Sequence, residues 1–176
     1  ILLIIKLLNL NLKNILDKIN NFQLTQGRGN SFKITIKKNQ YVRIINDSYN
    51  ANPASMEAAL ENIYEIKKIQ PNINIVLVIG DMLELGKKTN DFHEKLIPII
   101  ALIRPRCLIT VGKFSNIISK KLKKSFSCES FQNVDQLKKK FFLIIKPQDL
   151  ILIKGSNGIS LFKFTDYLYN NFFCRS

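Results

Sequence analysis

Short runs of strand length, mostly apolar, recur from Ile73 onward, at Ile73 to Ile79, Cys107 to Val111, Ser127 to Phe131 and Leu150 to Ile153, with helical patterns between them. Strands that alternate with helices in this way form right-handed βαβ units and a parallel sheet. Ahead of them the period changes to two. Phe32, Ile34 and Ile36 alternate with polar residues, Lys38-Asn39 supplies a turn, and Tyr41 to Asn46 reads as the returning strand of a hairpin. The hairpin adds one antiparallel edge strand. The expected architecture is an α/β, Rossmann-like, three-layer domain whose six-stranded sheet has five parallel strands and one antiparallel edge strand.

The helix after Asn52 is well announced: Asn52 can cap it, Pro53 suits its first turn, and Met56, Ala59, Leu60 and Ile63 form one apolar face. Further helices are predicted over about 91–103, 114–122, 134–145 and 159–170, with Pro98 marking a kink or the start of a new turn. The first 26 residues read as an amphipathic helical end, with Leu12, Ile15, Leu16, Ile19 and Phe22 at helical spacing.

Open α/β sheets bind ligands beyond the carboxyl ends of their strands. Here those ends are Asn46-Asp47-Ser48, Gly80-Asp81-Met82, Gly112-Lys113 and Lys154-Gly155-Ser156, and the polar and glycine-rich residues gather there. Gly80 to Thr89, GDMLELGKKT, comes near a phosphate loop and fails. Five residues separate its glycines, Lys88 takes the hydroxyl position, and Asp81 and Glu84 would repel phosphate. Asp47, Ser48, Asn50 and Asn52 crowd donors and acceptors at a helix mouth. Asp47 is well placed for ribose hydroxyls, although turn and cap roles alone would also account for the group. Lys154 to Gly158, KGSNG, could hold a carboxylate or phosphate on its amides, hydroxyl and ammonium, or be a simple glycine turn. His93, the single histidine, leaves no two-histidine metal site; it could pair with Glu84 or Asp91, and a structural or solvent-facing role is expected.

The net charge of +14 invites a nucleic-acid or anionic-membrane partner, but 22 of the 27 basic residues are Lys, and base readout favours the planar fork of Arg. Lys120, Lys121, Lys123, Lys124 and Lys138 to Lys140 sit beside Leu122 and Phe141, as on solvated faces of amphipathic helices. No specific nucleic acid is expected. The opening apolar run, Ile1 to Ile5, is broken by Lys6, well short of the ~20 residues of a membrane span. Three widely spaced cysteines make neither a disulfide framework nor a zinc site, so a reducing, cytoplasmic setting and no metal are expected.

Four segments in order, NDSYNANPASM at Asn46 to Met56, LVIGDMLELG at Leu77 to Gly86 with His93 after it, TVGKFS at Thr110 to Ser115 and LIKGSNG at Leu152 to Gly158, resemble the Mur ligases. These are ATP-dependent amide-bond-forming ligases of cytoplasmic peptidoglycan precursor synthesis. The resemblance is to the branch that joins D-alanyl-D-alanine to UDP-N-acetylmuramoyl-tripeptide; QGRGN at Gln26 to Asn30 is similar to the hinge entering the last of its three domains.

The resemblance implies that residues 1–26 are the helical tail of a truncated central ATPase domain with the hinge, and that 27–176 are the C-terminal domain. The absence of an initial Met adds to the expectation of truncation. It implies a reaction in which the tripeptide carboxylate is activated as an acyl phosphate and attacked by the dipeptide amine. The phosphate loop, Mg2+ ligands and modified lysine would lie in the central domain, leaving no catalytic residue here and a piece inactive by itself. Arg28 then matches the hinge arginine that reaches ATP phosphates, and Asp47 the aspartate that meets the ribose. Asn50, Asn52, Asp81, Glu84, Lys154 and Ser156 match segments lining the dipeptide and peptide-stem side. Asn157 stands where the family usually has Arg, weakening one charge-assisted contact. The competing readings are a sister ligase for another amino acid and a basic module that binds polyanions through its Lys runs.

Overall fold

The computed structural model describes Leu8 and residues 25–174. The expected helix through Leu12 to Phe22 therefore lies outside the described residues. The hairpin strands are β1 (Asn30–Lys37) and β2 (Gln40–Asp47), joined through Lys38 and Asn39, the latter left-handed at φ 60°. Asn tolerates that conformation better than most residues. Then follow α1 (Pro53–Ile69), β3 (Ile75–Gly80), α2 (Thr89–Glu94), α3 (Ile97–Ile103), β4 (Cys107–Val111), α4 (Asn116–Leu122), β5 (Ser127–Phe131), α5 (Val134–Ile144), β6 (Leu150–Lys154) and α6 (Leu161–Phe172).

The six strands form one sheet in the order β1-β2-β6-β3-β4-β5, antiparallel only at β1. This is the expected mixed sheet with five parallel strands. The alternation of side chains along the buried strands divides the core into two layers. Leu77, Leu108 and Leu152 pack with Met56, Leu60 and Ile63 of α1, Ile100 and Ile103 of α3, and Ile118 of α4. Val78, Ile109 and Ile153 face the other way, onto Leu137 and Phe141 of α5 and Phe164 and Leu168 of α6. Burying both faces of a central strand is what makes its sequence read as an unbroken apolar run. β5 departs from that: it closes the far edge, with Ser127, Glu129 and Ser130 exposed, so only its register on β4 marks it as a parallel strand.

Local chemistry accounts for the element ends. Asn52 caps α1 with a reciprocal pair, its Oδ1 accepting from the Ser55 amide at 2.8 Å while the Asn52 amide donates to Ser55 Oγ at 3.1 Å. The helix expected from Asp91 to Ile103 is instead two: α2 stops at Glu94 and α3 starts at Ile97, with Pro98 in its first turn, where the missing N–H costs no intrahelical bond. At the amino edge of the sheet, fully buried Asp149 receives the Arg106 guanidinium at both oxygens and the Lys146 amide at 2.7 Å. A bidentate fork with an added amide leaves this buried charge well compensated.

The chain order matters most at β6. It enters last, between β2 and β3, with Lys154 level with Asp47 on one side and Ile79 on the other. The helix after β2 packs on one face of the sheet and the helix after β6 on the opposite face. The chain thus parts between the carboxyl ends of β2 and β6, the place where an open α/β sheet makes a crevice.

Candidate functional site

Three loops meet over that crevice. The Gly27-Arg28-Gly29 turn leans on the loop after β2 through Gly29 N to Asn46 O (2.8 Å) and Tyr49 N to Gly27 O (3.0 Å). Gly27 has φ 80°, and a Cβ there would lie 3.2 Å from Tyr49, so glycine suits the close approach. Arg28 then lies over the Tyr49 ring at 4.3 Å. This stacking uses the face of the guanidinium and leaves its in-plane N–H fork for other acceptors.

Lys154 closes the crevice from below. Its ammonium, nearly buried, donates to Asp47 Oδ2 at 2.7 Å and to the Asn50 carbonyl at 3.2 Å, while the Asp47 side chain stays 26% exposed. The pairing follows from the β2–β6 register. Arg28, Asp47, Tyr49, Asn50, Asn52 and Lys154 thus line one cleft of about 280 Å³. An adjoining trough of about 490 Å³ shares Arg28 and Asp47 and runs along apolar residues of α1, including Ile63 and Ile66.

The structure joins some of the expected residues and turns others inward. Arg28, Asp47, Asn50, Asn52 and Lys154 converge, so Lys154 stands beside the nucleotide candidates and not apart from them. Asn50 Oδ1 accepts the Ala51 amide at 2.8 Å, and Asn52 Oδ1 is engaged in the helix cap. Asp81, expected on a substrate surface, is buried. Its two oxygens accept the amides of Lys113 (2.9 Å), Phe114 (3.0 Å) and Ser115 (2.7 Å), fastening β3 to the start of α4. The approach requires Gly112, where φ is 121° and a Cβ would fall 2.4 Å from the carboxyl carbon.

Ser156 is likewise internal: its hydroxyl accepts from Leu83 N at 2.9 Å and donates to Ala51 O at 3.1 Å. Asn157 remains exposed and donates to Tyr49 O at 3.3 Å. Glu84 is exposed with φ 63°.

His93 is fully buried, and its partners are backbone groups, not Glu84 or Asp91. Nδ1 contacts Thr89 O at 2.7 Å and the Met82 amide donates to Nε2 at 2.9 Å, so the ring is neutral with its proton on Nδ1. Met82 and Leu83 therefore spend their amides inside the fold, and the Asp81 amide goes to Val111 O at 3.2 Å. A phosphate cradle needs its amides pointing outward, and these three point inward. Sequence reasoning missed Tyr49 as the platform for Arg28. An aromatic residue inside an otherwise polar, strand-terminal loop was the available signal.

This arrangement, a mixed α/β sheet with a polar cleft at its switch point, coincides with a known domain. The family model for the Mur ligase, glutamate ligase domain, matches residues 32–157. The chain belongs to the Mur ligase family. It is 36% identical over 95% of its length to the UDP-N-acetylmuramoyl-tripeptide–D-alanyl-D-alanine ligase of Rickettsia prowazekii, of which it covers 35%. With the enzyme of the same name from Escherichia coli K12 it shares 32% identity over 83% of the chain and 30% of that protein. A crystal structure of MurF from Acinetobacter baumannii superposes over 93% of this chain and 35% of that one, with a TM-score of 0.74 and 26% identity. The fold is that of the C-terminal domain of MurF, and the chain spans about a third of the length of these relatives.

Proposed function

We propose that this chain is the nucleotide- and substrate-positioning domain of an ATP-dependent ligase that joins D-alanyl-D-alanine to UDP-N-acetylmuramoyl-tripeptide in the cytoplasm. The observation that carries the reading is the single cleft in which a stacked, outward-facing Arg28 stands beside a partly exposed Asp47 that is held in place by Lys154. Its supports are the names of the relatives, which are ligases of that dipeptide and tripeptide.

The residues suit part of ATP, which is a substrate of the reaction. A carboxylate can accept several hydrogen bonds, so Asp47, anchored by Lys154 through one oxygen, is suited to ribose hydroxyls. The guanidinium of Arg28 is suited to phosphate oxygens. Neither group is a general base or a nucleophile here; the domain contributes orientation. The phosphate loop and Mg2+ ligands are assigned to the preceding domains of the complete enzyme.

In a ligase in which this domain follows the first two domains of the R. prowazekii relative, Asp47→Asn and Arg28→Ala should each raise the KM for ATP about tenfold or more, as expected for losing a charge-assisted contact. The KM for the dipeptide should stay near that of the parent. An unchanged KM for ATP in both variants would remove the nucleotide assignment.

A further inference from the structure

A second cleft opens at the amino edge of the sheet, at the other end of β2 from Asp47. It has a volume of about 520 Å³, lies between the hairpin and the segments that lead into β3 and β6, and shares no lining residue with the cleft around Arg28 and Asp47. Backbone bonds join its walls: Gln148 N donates to Tyr41 O at 2.9 Å, Arg43 N to Asp149 O at 2.9 Å and Leu150 N to Asn74 O at 2.8 Å.

Two cations line this cleft. Lys33 and Arg43 are direct partners across the antiparallel β1–β2 pair, and both are exposed. Like charges opposite one another in such a pair are destabilising, and among the described residues neither has an ion-pair partner. A lysine on an edge strand guards against strand addition, which accounts for Lys33 on β1. Arg43 stands on β2, which is paired on both sides, so edge protection does not account for it. The Lys33 ammonium lies over the Tyr41 ring at 4.9 Å. The remaining polar side chains of the lining, Asn72, Asn74 and Gln148 among them, are neutral, and no carboxylate is present there. The carboxyl end of α1 borders the cleft at Gln70 and carries partial negative charge. Lys67 meets that charge, its ammonium donating to Ile73 O at 2.8 Å.

We propose that this cleft binds a diphosphate group, free or esterified, across Lys33 and Arg43. Two adjacent cations with no carboxylate between them call for a group that carries several negative charges on neighbouring oxygens. The planar fork of Arg43 suits paired phosphate oxygens, the Lys33 ammonium a further one, and the carboxamides supply neutral N–H donors around them. The bound anion relieves the cross-strand repulsion and so stabilises the hairpin against the rest of the sheet.

The test is calorimetric titration of this chain with pyrophosphate in the absence of metal ions. Binding should survive Arg28→Ala, which removes the anion contact proposed in the other cleft. Arg43→Gln and Lys33→Gln should each weaken it about tenfold or more, the loss of one charge-assisted contact. Pyrophosphate should raise the thermal unfolding midpoint of the parent and leave that of the Lys33→Gln, Arg43→Gln double variant unchanged. Without anion, the double variant should unfold no earlier than the parent, because the repulsion is gone. Parental affinity in the double variant overturns the site, and so does binding that disappears with Arg28→Ala, which places the anion in the other cleft. An equal loss on Lys120→Gln and Lys121→Gln also overturns it, since that marks a response to overall charge. Glutarate bound as tightly as pyrophosphate overturns the diphosphate assignment. Methyl diphosphate separates the two sources within the proposal: tighter binding than pyrophosphate supports an esterified ligand, weaker binding the free anion.

Discussion

Lys154 shows how one residue is fixed by its neighbours. A buried ammonium is tolerated only when paired and hydrogen-bonded, and here Asp47 and the Asn50 carbonyl supply both. Cys107 shows the opposite chemistry, a buried group kept neutral. Burial pushes its thiol above the ordinary value of 9.0, against the pull of a Ser127 hydrogen bond and the Arg106 charge; burial raises Cys128 too. The sign of the pH effect follows. Below that ordinary value both folded and unfolded chains keep the proton, so the shift has no effect. As pH rises past it, the unfolded chain releases the proton first, and stability falls. Urea midpoints measured from pH 7 to 10 should therefore decline less steeply in Cys107→Ala than in the parent. Parallel declines would show that the thiol does not contribute.

At the scale of elements, the fastening of loops to strands governs the site edge. Asp81 replaces separate solvation of three amides with one carboxylate bonded to all of them. Asp81→Asn turns an acceptor into an NH2 that faces donors, so it should destabilise the domain by about 2 to 4 kcal/mol in urea unfolding. A change below about 0.5 kcal/mol, typical of an ordinary surface site, would contradict the anchoring role.

Most of the elements were legible because burial leaves a periodic trace. The double-faced strands read as apolar runs, α1 as an apolar stripe behind a capping Asn52, and Pro98 as a break. The site was legible in part. A strand end predicts that Asp47 lies on the ligand edge, but the β2–β6 register that brings Lys154 to it depends on the late insertion of β6. Likewise, Asp81 and Ser156 look like ligand groups in a linear motif. Only tertiary closure shows that backbone amides already occupy them.

For the molecule as a whole, the proposed function is a division of labour, with this domain orienting nucleotide and substrate and the remaining two thirds of an enzyme like its relatives supplying the phosphate chemistry. Among the described residues no helix is long and apolar enough to cross a membrane. The most direct measurement is dipeptide-dependent phosphate release with ATP, Mg2+ and UDP-N-acetylmuramoyl-tripeptide, made on this chain alone and on its fusion to the first two domains of the R. prowazekii relative. The account predicts no release from the chain alone and release from the fusion that requires D-alanyl-D-alanine and yields the ligated product. Turnover by the chain alone, or a folded fusion that hydrolyses ATP without joining the dipeptide, would contradict it.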